Sequence, residues 1–202
     1  MPANMHTITV LHTKPLIILT IVSSCPASLV ETKSNRTLFH LIMVFFVESL
    51  IACAVFTLFV FLMSRNPIKS IFNYPPAIIE RCDKLGLVDA SNKPGGVGFY
   101  VKKVTAMAVF GVLLGLLVKY VNGCTSFWCG ALTAYALWMV VNWFDALVLD
   151  CLWFCHDKHF VIPGTEDMTD AYHDYWFHIK GALIGMVLGI PAALMAGIIV
   201  IV

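Results

Sequence analysis

The stretch GALIGMVLGIPAALMAGIIVIV, residues 181–202, runs for 22 residues without one Asp, Glu, Lys, Arg or His. At 1.5 Å per residue, a helix of that length reaches about 33 Å, against a hydrocarbon core of about 30 Å. Inside lipid the backbone has no water to bond, so a helix is the form such a run adopts. Gly181, Gly185, Gly189, Ala193 and Gly197 recur at a spacing of four and form one slowly drifting small-residue face. Small residues let helix backbones approach closely, where packing replaces the hydrophobic force that lipid withholds. Gly111 and Gly115 repeat the pattern in another apolar run. These faces are expected to pack against neighbouring helices, a second copy of the chain or a partner membrane subunit. Pro191 lacks a backbone N–H and is expected to kink the span.

Three more apolar runs lie upstream, at Leu38–Met63, Val104–Val121 and Ser126–Phe154. The chain is 59% hydrophobic and 12% charged, with a mean hydropathy of +0.85. Soluble domains carry roughly 25% charged residues. The expected fold is therefore an all-α membrane protein, a bundle of four transmembrane helices, with the lipid bilayer as its first partner. A membrane barrel would show short alternating segments, which are absent. The net charge of +1 gives no ground for nucleic-acid binding.

The N-terminal segment, residues 1–37, has three readings. It is signal-like, with Lys14 ahead of Pro15–Val22 and a lipobox-like Val22-Ser23-Ser24-Cys25. It is a marginal fifth span. Or it precedes a true start at Met43. Residues 38–202 form the helical membrane domain. Loop 64–103 holds seven of the thirteen Lys and Arg residues, and an excess of cations marks the cytoplasmic side. Orientation then places loop 155–180 on the same side of a cell membrane crossed several times. Within the first loop, Pro75-Pro76 opens a short helix with Ile78, Cys82 and Leu85 at helical spacing and Gly86 as its C-cap. It is expected on the membrane surface or packed under the bundle. Lys93-Pro94-Gly95-Gly96 reads as a turn. Seven cysteines show no paired zinc-knuckle spacing, although Cys124 and Cys129, in an outer turn, can pair if their compartment is oxidising.

Chemistry concentrates in residues 142–180, NWFDALVLDCLWFCHDKHFVIPGTEDMTDAYHDYWFHIK. Seven of twelve acidic residues and four of seven His lie between Asp145 and His178. Ser126–Phe154, read as one α-helix, is longer than the bilayer core, which brings Asn142 and Asp145 to the inner boundary, with Asp150 about 140° further round. Thr165 reads as a helix N-cap, with Glu166 and Asp167 as first-turn acids. Asp170, Asp174 and His178 then recur at a spacing of four on one face. With Asp145, Asp150, His156 and His159 they are the candidate site. Imidazoles and carboxylates suit a divalent metal, which is the candidate cofactor, and imidazole also suits proton relay. The competing reading pairs the carboxylates with Lys102, Lys103 or Lys180. Tyr172, Tyr175, Trp176 and Phe177 suit a membrane interface. Glu48 lies about 22 Å from the inner end of its span, away from this cluster, and suits an interhelical hydrogen bond.

The stretches VNWFDALVLDCLWFCH, VIPGTEDM and YHDYWFHIKG, with NPIKSIFNYPPAIIERCDKLGL in the first loop, resemble a group of small prokaryotic polytopic integral membrane proteins. The resemblance runs from about Met43 to the end. It implies the architecture and a prokaryotic membrane, and transfers no activity and no catalytic residue.

Three functions follow as expectations. The first is a small transport or binding component handling a cation or protons at a cytoplasmic vestibule lined by Asp and His. The second is a membrane-embedded metal-dependent hydrolase using a metal-bound water. The third is a structural subunit that packs on partner helices through its glycine faces. No zincin motif or nucleotide loop supports an enzyme, and no internal repeat marks a complete secondary transporter.

Overall fold

The computed structural model describes residues 27–202 apart from Lys93, with side chains from Phe39 onward except that of Tyr100. The readings of residues 1–26, including the lipobox-like Cys25, and the side chain of Lys93 lie outside the described residues. The described residues contain no strand. Four helical stretches are long and apolar enough to cross a membrane: Phe39–Met63, Val97–Tyr120, Phe127–Phe154 and Thr169–Ile201. The elements are α1 (Ala27–Met63), α2 (Pro76–Lys84), α3 (Val97–Tyr120), α4 (Phe127–Phe144) continuing as a π-helix (Asp145–Phe154), α5 (Thr169–Tyr172) and α6 (Tyr175–Ile201). The first span begins within a helix that starts upstream of Leu38, since α1 already runs from Ala27.

The last span is the centre of the bundle. α6 packs on both α3 and α4, whereas α1 leans on α4 from outside. The small-residue face makes this possible. A Cβ at Gly185 would collide with Asn142 Oδ1, one at Gly189 with the Trp138 indole, and one at Gly197 with the Phe127 ring. On α3, Gly111 lies against Ala192 and Met195, and Gly115 against Ala196 and Ile199. Ala193 is buried as well. Gly181 departs from the pattern: no atom lies within 4 Å of its Cβ position. The faces expected to meet helices or partners are thus used within the chain. Helix α6 runs on through Pro191 without a break.

Three side chains on one face of α4, at i, i+3 and i+7, donate to backbone carbonyls of α6. Tyr135 OH bonds Met186 O at 3.2 Å, Trp138 Nε1 bonds Gly185 O at 2.9 Å, and Asn142 Nδ2 bonds Ala182 O at 3.0 Å. A donor without a partner in hydrocarbon is costly, so these bonds fix how α4 is rotated against α6. At the α3–α4 turn, Cys124 and Cys129 form a disulfide. Beside them Asn122 Nδ2 donates to Glu48 Oε2 at 2.7 Å. Glu48 therefore ties α1 to the end of the bundle away from the acidic cluster.

Beyond the spans, the two polar loops pack on each other. Ile71, Tyr74, Ile78, Cys82, Ile162 and Tyr172 form a second, smaller core, with Phe154 against it. The short helix from Pro76 thus packs under the bundle, with Leu85 as C-cap and Gly86 following at a φ of 69° that favours glycine. Here water supplies the driving force, and each fully buried Ile contributes about 1.5–3 kcal/mol. Thr165 is not the cap of a helix. It is fully buried, and its hydroxyl lies 2.7 Å from both Ile162 O and Tyr172 OH, closing the loop on itself. Helix α5 starts only after Met168.

Gly189→Val should destabilise the bundle by about 1–3 kcal/mol through overpacking against Trp138, whereas Gly181→Ala should be neutral or stabilise by up to about 1 kcal/mol. Thermal unfolding of both variants in one detergent checks this; equal losses would contradict the placement of α6.

Candidate functional site

Asp145 and Asp150 stand on one side of the chain because α4 changes its winding. From Asp145 to Phe154 the backbone bonds run i to i+5, as in the 3.0 Å bond from Cys155 N to Asp150 O. This widens each turn, so residues five apart come toward the same face instead of lying about 140° apart as in an α-helix. The expectation of one continuous α-helix over Ser126–Phe154 is corrected accordingly. π-Helical turns are rare and occur frequently at functional sites.

Both carboxylates line a cavity of about 780 Å³ between the bundle and the loop layer. Asn142 and His178 share its wall, Lys103 and Lys180 also line it, and Ser64, Ser70 and Asn73 contribute from the first loop. His178 is 5% exposed, lies edge-on to the Phe154 and Phe177 rings, and places Nδ1 3.1 Å from Asp150 Oδ2. A carboxylate accepts only, so this pairing calls for a hydrogen on Nδ1. Nε2 is buried without a partner. The lysines make no ion pair with either carboxylate. Lys103 Nζ lies 4.6 Å from the centre of the Phe99 ring, and Lys180 Nζ 5.5 Å from that of Trp176.

The remaining candidates do not join this group. Asp170, Asp174 and His178 share no helical face, because the chain breaks at His173–Asp174 before α6 begins. Asp174 is exposed and caps α6, accepting from Phe177 N at 3.0 Å. Asp170 is exposed on α5. His159 Nε2 lies 3.4 Å from Ser64 O. His156 packs on His173, ring centres 5.0 Å apart, with its Nε2 3.4 Å from Tyr175 OH. Among the described residues, no three His, Cys, Asp or Glu side chains gather as a metal site.

The other acids of the loop have structural partners. Asp157 accepts from His159 N and from Trp153 Nε1, both at 2.9 Å, and these bonds hold its carboxyl below the usual range. Glu166 accepts from Gly164 N at 2.8 Å, and Asp167 pairs with Arg81 of α2 at 3.2 Å. Arg81 thereby joins the two loops, although an exposed pair contributes little. Cys155, just past the span, is buried, and that burial pushes its thiol up to about 12. Sequence reading missed the contribution of Ser64, Ser70 and Asn73. Ser70 and Asn73 lie on a 3₁₀ helix, Pro67–Asn73, that only the packing of loop on loop brings beneath the spans.

No family model matches this chain, and neither a curated protein nor a solved structure matches it.

In ¹⁵N NMR spectra His178 should show its hydrogen on Nδ1. A hydrogen on Nε2 alone would contradict the bond to Asp150. Asp150→Ala, which leaves both buried imidazole nitrogens without partners, should cost about 1–3 kcal/mol in thermal or chemical unfolding.

Proposed function

We propose that this multi-pass membrane protein is a small transport or binding component that takes up and passes protons at the Asp145–Asp150–His178 cavity. One observation carries the reading: a buried imidazole paired with one carboxylate at 3.1 Å, with a second carboxylate on the same wall, at the end of two membrane spans. Ionisable groups in such segments are expensive and characteristically mark ion or proton paths. Imidazole is the side chain that exchanges protons most readily near neutral pH. A small monovalent cation on the carboxylates is the runner-up. The metal-dependent hydrolase gains no support from the donor geometry. The glycine faces, occupied by α3 and α4, give little support to a purely structural subunit.

In liposomes carrying an internal pH dye, the purified chain should raise proton flux above protein-free background, and His178→Gln should lower it about tenfold or more. Equal flux in wild type and variant would sink the proton reading. Flux of a monovalent cation that depends on Asp145 and Asp150 but not on His178 would favour the runner-up.

For orientation we take the loop layer as cytoplasmic in a prokaryotic cell membrane. The clustered Lys and Arg residues support this, and so does the Cys124–Cys129 disulfide at the opposite end, since disulfides persist on the oxidising side. A Ser91→Cys variant should resist a membrane-impermeant maleimide in intact cells and react in inverted vesicles, with wild type as the control. The opposite pattern would reverse the topology.

A further inference from the structure

A second cavity, of about 550 Å³, adjoins the first. It is a groove between α1 and α4 lined by Leu58, Phe61, Phe144 and Val148, and Leu149 and Trp153 belong to the walls of both cavities. Phe61 and Trp153 stack at 6.2 Å, and Trp153 Nε1 also donates to Asp157 Oδ2 at 2.9 Å. The groove lies between two stretches long and apolar enough to cross a membrane, so its walls are matched to hydrocarbon. The neighbouring cavity is bipolar. It offers two carboxylates and two ammonium groups that do not pair with each other. Among the described residues the Asp145 carboxylate makes no ion pair or hydrogen bond, and the two exposed lysines pair with neither carboxylate, so this wall is complementary to a ligand carrying both signs. An open apolar groove that shares Leu149 and Trp153 with a bipolar cavity is matched to an amphiphile.

We propose that the two cavities form one binding site for a phospholipid with a primary amine in its headgroup. The ammonium group lies against Asp145 and Asp150, the phosphate against Lys103 and Lys180, and one acyl chain occupies the groove over Leu149 and Trp153. His178, bonded to Asp150, positions the carboxylate. The chamber volume lies within the range of about 300–1,000 Å³ usual for small-molecule sites. This goes beyond the proton reading, because it concerns what occupies the cavity rather than what crosses the membrane.

The test is native mass spectrometry of the full chain released from nanodiscs of dioleoyl phosphatidylcholine. The discs contain equal parts of dioleoyl phosphatidylethanolamine or of dioleoyl phosphatidylglycerol. The wild type should retain the ethanolamine lipid about tenfold or more over the other two, as one or two charge-assisted hydrogen bonds imply. Phosphatidylglycerol lacks the amine, and the quaternary ammonium of phosphatidylcholine has no N–H to donate. The double variant Asp145→Asn/Asp150→Asn should lose the preference, and Lys103→Gln/Lys180→Gln should retain less of every phospholipid. Equal retention of the three headgroups by the wild type, a comparison that depends on no variant, would overturn the proposal. So would a preference that survives both double variants. Proton flux without headgroup preference defeats this site and spares the proton reading, and preference without flux does the reverse.

Discussion

The close approach of α6 to α3 and α4 is the constraint on which the other features depend. Lipid tails are as apolar as the helices they surround, so nothing presses the spans together except contact between well-fitted surfaces. Gly189 admits the Trp138 indole and Gly185 admits the Asn142 amide. Once seated, each of those side chains reaches a carbonyl of α6. The rotation of α4 is then fixed, and with it the direction of Asp145 and Asp150. The acidic wall of the cavity is a consequence of where glycines fall on another helix.

A different force builds the loop layer. Outside the spans, burial of Ile71, Ile78 and Ile162 follows the ordinary hydrophobic effect. Its polar groups are satisfied in the same volume: Tyr74 OH donates to Phe160 O at 3.1 Å, and Ile162 N donates to Tyr172 OH at 3.0 Å. Burial holds the Tyr74 hydroxyl well above its usual range, so it remains a donor. The chain therefore has two cores formed under two solvents. The candidate site lies where they meet, with the bundle supplying carboxylates and imidazole and the loop layer supplying Ser70, Asn73 and Tyr74.

Much of this was readable from residues alone, for stated reasons. A span of Gly181–Val202 composition has one solution in lipid, and the small-residue spacing announced a packed face. Glu48, placed by helical rise away from the acidic cluster, bonds Asn122 of the α3–α4 turn, a helix-to-turn tie where an interhelical bond was expected. The winding of α4 was not readable. A shift from i+4 to i+5 bonding changes no residue type, yet it moves Asp150 round to join Asp145. The break at His173–Asp174 escaped for a related reason. The pattern Asp170, Asp174, His178 fits a helix, but Asp174 is a better cap than an interior residue, and its side chain takes the N–H of Phe177. The role of Thr165 depends on Tyr172 and Ile162, which the chain brings together only by closing the loop.

The notch at Gly185 also constrains how this sequence can diverge. Asn142 Oδ1 occupies the place where any larger residue at 185 would put its first carbon. Position 142 therefore cannot keep a side chain of this length while position 185 gains one. The two sites are bound to drift as a pair: glycine facing a long amide, or a larger residue facing a short one that no longer reaches Ala182 O. Residues 43 apart in sequence would then vary together, although neither touches the carboxylates whose direction they set.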